Sequence, residues 1–314
     1  MVTLSDLPDI RGRFMRPGGQ MFCEAEHKSD KRKVGVPLLE KKTNIYWLFI
    51  LPGCLFLAFF MLIPLFSLLF KTFVDDGGAF SMANYFTLLE STYFKQVFWR
   101  SIRLSLTSTA VCAVLGFPTA YYISKYSKNK GVLMALAVFP MFTSPVIRSF
   151  SWMVILGKKG IVNDLLVKSG LIAKPISLLY NEFSMVVGFI QLFLPLMILS
   201  LIGIMDNISE DLNLAAGSLG ASRLGTFRHV VLPLSIPGLV TGSVLVFTGC
   251  LTAYTTPQLL GGTDTRVLAT MIYQQAMSLG DWTQASVVAV VMIVVTVAVS
   301  SVINNISRKL NPTI

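Results

Sequence analysis

Ala215, Ala216, Gly220, Val230, Leu232 and Pro233 are the residues whose types and spacing point most directly to a task. They lie in the stretch LAAGSLGASRLGTFRHVVLP, Leu214 to Pro233, between two long apolar segments. Three residues separate Ala216 from Gly220, nine separate Gly220 from Val230, and one separates Val230 from Leu232. Small side chains let a second backbone come close, glycine lets the chain turn, and proline sets the start of a following helix. The chemistry is therefore non-covalent. The stretch predicts a compact helical knob that fits a groove on another protein. A motor docked from outside is expected, because no GxxxxGK[ST] phosphate loop occurs anywhere in the chain.

Two helical pieces can be drawn between Asp206 and Leu232. Ser209 is placed to cap the first, and Glu210 and Asp211 then complement the dipole of its first turn. Leu212, Ala215, Ala216 and Leu219 follow at i, i+3, i+4 and i+7, the spacing of one helical face. Gly217 and Gly220 loosen the end of this helix. The second piece, about Ser222 to Val231, carries Arg223, Arg228 and His229, and Pro233 and Pro237 set the entry of the next apolar helix. The bland alternative is an interfacial helix that merely links two spans.

Other reactive groups are sparse. His27 and His229 are the only histidines, no HExxH occurs, and no enzyme activity is expected. Cys23, Cys54, Cys112 and Cys250 lie far apart, without metal or redox spacing, so neither a disulfide framework nor a metal site is expected. Inside the apolar segments there is no central Asp or Glu, which argues against an ion-coupled carrier. Arg148 is the one deep ionisable residue; a snorkelling or structurally paired arginine is the favoured reading, a path-lining one the alternative. Thr143 and Ser144 beside Pro145, and Tyr254, Thr255, Thr256 and Gln258 around Pro257, make polar breaks of the kind that line a translocation path. An ordinary frayed helix end explains the second group as well. Gly238, Gly242 and Gly249 share roughly one helical face and are read as packing sites, within the subunit or against a second one.

The elements that must hold these residues are membrane helices. Of 314 residues, 54% are hydrophobic and only 13% charged, with mean hydropathy +0.67. That composition belongs to the membrane class. The net charge of +10 is scattered around apolar segments, as topology and headgroup residues are, and nucleic acid is not expected as a partner. A spanning helix needs roughly 20 apolar residues. Six windows qualify: Ile45 to Phe70, about Phe98 to Ser124, about Val132 to Leu156 kinked by Pro140 and Pro145, about Met185 to Met205, about Ile236 to Leu260, and about Ala285 to Ile306. An all-α polytopic fold follows, with a tail over residues 1–44, a transmembrane domain over 45–307 and a tail over 308–314.

Lys31, Arg32, Lys33, Lys41 and Lys42 in the first tail, Lys125, Lys128 and Lys130 in the second turn, and Arg308 and Lys309 in the last tail fall on one side of a six-span chain. The excess of bases places that side, with both termini and the 206–232 loop, in the cytoplasm. No cleavable signal peptide is expected, and the first span serves as the targeting signal. The opposite loops are expected at Lys71 to Val97, Gly157 to Ser184 and Gly261 to Gln284, the second amphipathic through Ile161, Leu165 and Leu166.

The loop resembles the coupling-loop signature of binding-protein-dependent ABC importer permeases: glutamate-alanine-alanine, three residues, glycine, nine residues, aliphatic, any residue, leucine, proline. Ala215, Ala216, Gly220, Val230, Leu232 and Pro233 match it, and Leu214 stands where the family has glutamate, with Asp211 one turn earlier. Phe139 to Trp152 (FPMFTSPVIRSFSW), Thr252 to Gly262 (TAYTTPQLLGG) and GDWTQASVVAVVM from Gly280 resemble the spermidine/putrescine branch. The resemblance covers roughly Ile45 to the C-terminus. It implies a type I ABC importer permease fold in a bacterial inner membrane and no ATPase activity of the chain's own. It also implies ATP and magnesium on two partner ATPase subunits, a second related permease and an extracytoplasmic solute-binding protein. Asp211, Leu214, Ala215, Ala216, Gly220, Arg223, Leu232 and Pro233 would then meet the ATPase. The branch handles polyamines, amino-organophosphonates, opine-like compounds and ferric ions, with a polyamine the expected cargo. A carrier or channel working alone is the remaining alternative.

Overall fold

Proline and glycine decide where the apolar segments stop being continuous helices. The computed structural model describes residues 43–74 and 80–310. Cys23, His27, the tail bases through Lys42, Asp75, Asp76 and residues 311–314 lie outside the described residues. The chain forms two units, Met1–Phe56 and Leu57–Ile314. The described part of the first lies in helix α1 (Thr43–Leu57), which contains Pro52. The second contains α2 (Ile63–Thr72), α3 (Ala83–Glu90), α4 (Thr92–Lys125), α5 (Lys130–Val138), α6 (Pro145–Leu156), α7 (Ile161–Lys168) and α8 (Glu182–Met205). It continues through α9 (Glu210–Ser218), α10 (Arg223–Thr226), α11 (Leu232–Thr252), α12 (Thr255–Leu260), α13 (Leu268–Tyr273) and α14 (Trp282–Leu310).

Five helical stretches among the described residues are long and apolar enough to cross a bilayer: Ile50–Thr72, Thr92–Lys125, Glu182–Met205, Arg223–Thr252 and Trp282–Ile306. A sixth crossing exists if the pair Lys130–Phe142 and Pro145–Lys168, bent by 92°, is one span. The third window is thus a broken helix rather than a kinked one. Its break has a local cause. Pro145 forces the preceding Ser144 out of the helical region, to φ −55°, ψ 131°, and then starts α6 as its first residue.

The core lies between α4, α8 and α11, where Cys112, Met197, Leu201, Met205 and Val246 are fully buried. Small residues permit the close approach. A Cβ on Gly116 would stand 2.8 Å from Met197 Cγ. Gly238, Gly242 and Gly249 face Ile204, Met197 and Phe193 of α8. The glycine face therefore packs within the subunit, which decides between the two readings of that stripe. A second cluster joins Leu88 of α3, Phe94 and Val97 of α4, Phe247 and Leu251 of α11, Leu268 and Met271 of α13, and Val287 and Val288 of α14. Residues 268–273, expected within a loop, are consequently a buried helix.

One expected segment takes a definite form and one window is shortened. The segment 161–168 is helical, with Ile161 and Leu165 exposed. Its inner face is held by buried Asn163, whose amide donates to Gly157 O and Ile176 O at 3.0 Å each. The fifth window does not run on to Leu260. It ends at Thr252, where Ala253 is extended (ψ 127°). Pro257 sits in the first turn of α12, where a missing N–H leaves no helical bond unmade, so the break precedes the proline.

Candidate functional site

The loop between α8 and α11 is built from two capped turns. Ser209 begins α9, its hydroxyl accepting the Asp211 N–H at 3.2 Å and donating to Asp211 Oδ2 at 3.2 Å. The helix ends in a left-handed glycine. Gly220 has φ +84°, its N–H donates to Gly217 O at 3.0 Å, and Ala221 N–H donates to Ala216 O at 3.0 Å. This pattern closes the free carbonyls at the helix end and reverses the chain. Ser222 then caps α10 by accepting the Gly225 N–H at 3.1 Å. Residues Phe227–Val231 form one π turn, within which His229 Nδ1 lies 3.0 Å from Gly225 O. Pro233 falls in the first turn of α11.

Most of the residues singled out in this loop are on its surface. Asp211, Leu212, Leu214, Ala215, Leu219, Gly220, Arg223 and Leu232 are exposed, whereas Ala216 and Pro233 are half-buried. The inward side of α9 is Asn213 and Ala216. The stripe from Leu212 to Leu219 is therefore split between two faces, and Leu214 stands near the middle of the outward one.

Long-range contacts fix this knob to the spans, and these were not visible in the sequence. The Phe227 ring meets Tyr121 at 5.2 Å and Phe117 at 5.7 Å between centroids, both edge-on, on the end of α4. At the root of the loop Asp206 accepts from Ser124 Oγ at 2.6 Å and pairs with Lys130 at 2.5 Å. Lys125 donates to Ile208 O at 2.8 Å. The basic turn after α4, noted above only for topology, thus also clamps the loop. Burial opposes ionisation of Asp206, but hydrogen bonds from Lys130 and Ser124 and the charges of Lys130 and Lys125 prevail and hold its carboxyl below the ordinary value of 3.8.

A pH dependence follows. The folded carboxyl ionises at lower pH than the unfolded one, so the clamp stabilises the fold above the unfolded pKa. The contribution fades as pH falls through the depressed folded value. Asp206→Asn should lower thermal stability at about pH 7 by about 1 kcal/mol, given the partial exposure of the pair, and the difference should shrink as pH falls below the unfolded pKa and vanish below the depressed folded one. Melting curves across that range check it, and a constant difference at every pH contradicts it.

At the far end of the spans, the two polar breaks lie on adjoining elements, since α6 packs against α12. Arg148 is buried, and its Nη1 donates to Pro140 O at 2.7 Å. Thr143 Oγ1 donates to the same carbonyl at 2.7 Å. Both residues therefore donate to a backbone carbonyl at the bend. Ser144 is exposed, Thr255 half-buried and Gln258 exposed. The rings of Tyr254 and Tyr273 lie 4.6 Å apart. No hydrogen bond joins the two sets among the described residues. A separate anchor holds the start of α8: Glu182 accepts from Arg103 Nη2 at 2.6 and 2.8 Å and from Arg100 Nε at 3.3 Å. Arg100 Nη1 also donates to Asp264 O and Arg266 O. No group of three His, Cys, Asp or Glu side chains with metal-binding geometry occurs among the described residues.

Residues 54–312 match the family of binding-protein-dependent transport system inner membrane components. The chain belongs to that family. As a member it is a multi-pass inner-membrane permease subunit of an ABC importer, a transport component rather than an enzyme. It is 33% identical over 241 residues to the spermidine/putrescine transport system permease protein PotB of Haemophilus influenzae, covering 74% of this chain and 84% of that protein. It is 29% identical over 262 residues to PotB of Escherichia coli strain K12, covering 81% and 95%. The fold is similar to a chain of the bacterial alginate ABC transporter solved in complex with an alginate pentasaccharide-bound periplasmic protein. The TM-score is 0.68 and the identity 21%, over 85% of this permease and 94% of that chain.

Proposed function

We propose that this permease carries a small organic polyamine, of the spermidine/putrescine kind, across the inner membrane after delivery by an extracytoplasmic solute-binding protein. The observation that carries the reading is the 33% identity, over 74% of the chain, to a permease named for that substrate pair. One of two ATPase subunits, loaded with ATP and magnesium, docks on the 206–232 loop, and the other on a second, related permease that completes the path. Both termini and the loop face the cytoplasm, as the lysine and arginine excess suggests. Ala215 and Gly220 are exposed at the loop, as a docking role requires. Ala216, half-buried, sets the inner face of the same helix. The chain's own residues supply positioning: the Phe227 anchor and the Asp206 clamp tie the knob to α4 and α8, so a push on the knob moves the spans.

In this reading Arg148 is occupied by the bend, and the breaks before α6 and at the start of α12 offer neutral polar and aromatic groups, Thr143, Ser144, Tyr254, Thr255 and Gln258, to the path. No carboxylate stands among them. A cation would therefore be held by ring faces and hydroxyls rather than by an ion pair.

The test is a thermal melt of the cognate solute-binding protein with candidate ligands. Spermidine or putrescine should raise its melting temperature through preferential binding to the folded state. A rise with ferric ion, an opine-like compound or an amino-organophosphonate alone overturns the cargo. Full transport by this chain alone in liposomes overturns the ABC mechanism.

A further inference from the structure

We propose that the loop engages its ATPase subunit through an apolar contact centred on Leu214, with no carboxylate in the role of the family's glutamate. The proposal rests on the docking reading above and adds the chemistry of the partner's surface. Leu214 is 68% exposed, and two more leucines project from the same knob, Leu219 at 89% and Leu224 at 76%. Leu214 and Leu219 lie between the end of α8 and the spanning stretch that begins at Arg223, and Leu224 lies in the first turn of that stretch. Leucines so exposed in an aqueous compartment mark a surface that another molecule covers.

Two features choose a protein over the lipid surface. Glu210 and Asp211 are exposed on the same helix, and they would face the anionic headgroups of the cytoplasmic leaflet. Beside Leu214 lies a cleft of about 230 Å³ walled by Tyr121, Tyr126, Asn213, Lys125 and Glu210. Within it, the buried Asn213 Oδ1 has no hydrogen-bond partner. A lone buried acceptor is costly unless a donor reaches it. Acyl chains carry no donor, whereas a protein side chain or backbone N–H supplies one. Of the two charged residues that wall the cleft, Lys125 donates to Ile208 O, and Glu210 stands exposed one turn before Leu214. Asp211, the nearest substitute for the missing glutamate, accepts from Ser209 with Oδ2. The partner surface that fits is apolar around Leu214 and carries one N–H donor toward Asn213.

The consequence is a docking step with little salt dependence and a preference for an ATPase whose groove is apolar where others are polar. The permease and the ATP-binding subunit of its own transport system would be co-expressed, purified in detergent, separated and re-associated in a binding titration. Leu214→Glu should weaken association at least ~10-fold, Leu214→Ala less, since a charge must then be desolvated against apolar groups. The parent's affinity should change less than ~3-fold between about 0.1 and about 0.5 M salt, because apolar contacts are not screened. Equal or tighter binding by Leu214→Glu, or a loss beyond ~10-fold on adding salt, overturns the apolar contact while leaving docking intact. Failure of the parent to bind the ATPase at any salt overturns the docking reading itself. Leu214 is mostly solvent-exposed, so unchanged elution of the variant on size exclusion separates a binding loss from misfolding.

Discussion

A Gly220→Val permease is expected to insert and fold but to lose transport by at least ~10-fold, because a β-branched residue at positive φ costs on the order of 1–3 kcal/mol. The cost is conformational, not steric. A Cβ at Gly220 meets nothing within 4 Å, while its φ of +84° lies where L residues are strained. The chain relieves the strain by opening the turn that closes α9, which swings Ala221 and Ser222, and with them the α10 cap, away from the knob. This predicts an order. Gly220→Asn, which tolerates the left-handed region, should keep most transport, Gly220→Ala less, and Gly220→Val least. Vesicle uptake measured beside membrane abundance checks the order. Equal uptake by all three contradicts the turn as the basis of coupling.

Gly238→Leu should abolish accumulation of folded permease, by overpacking rather than by strain. A Cβ on Gly238 would stand 2.9 Å from Ser200 O and 3.0 Å from Ile204 Cγ1. The first of these atoms is helix backbone and cannot swing aside, so α8 and α11 must separate along a buried seam. Even Gly238→Ala should cost about 1–3 kcal/mol. Gly203 on α8 is the control, since nothing lies within 4 Å of its would-be Cβ. Gly203→Ala should be neutral or stabilising by up to about 1 kcal/mol, as expected for alanine in place of a helical glycine. Detergent-extracted yield and melting temperature for the three variants test the contrast. Wild-type behaviour of Gly238→Ala and Gly238→Leu would mean that the seam is looser than these distances imply.

The two glycines also mark what was legible in advance. Gly220 was readable because its signal is local: a glycine closing a short helix before a serine cap. Gly238, Gly242 and Gly249 were readable as a packing face, but their partner was not, since spacing along one helix says nothing about which helix lies opposite. Apolar length located the spans, yet it could not separate a kink from a 92° break, because that depends on how Ser144 and Pro145 meet the bend. The short apolar run at residues 268–273 passed for loop because six residues are too few to span and their burial depends on α3, α4, α11 and α14 closing around them. The Asp206–Lys130 clamp and the Phe227 anchor were invisible for the same reason: each joins residues far apart in sequence.

By itself the sequence determined that this chain is an all-helical membrane protein, that it holds no phosphate loop, and that it carries a small-residue loop between its fourth and fifth spans. Those properties reside in composition, periodicity and local turn chemistry, which act within a few residues. Only the tertiary structure decided which side of that loop is free. Packing of Asn213 and Ala216 inward leaves Leu214 outward, because a nine-residue helix set against residues 223–231 buries one face and leaves the other free. The same packing gives Arg148 a partner that its place in the sequence did not show, since the carbonyl of Pro140 at the bend accepts from its guanidinium.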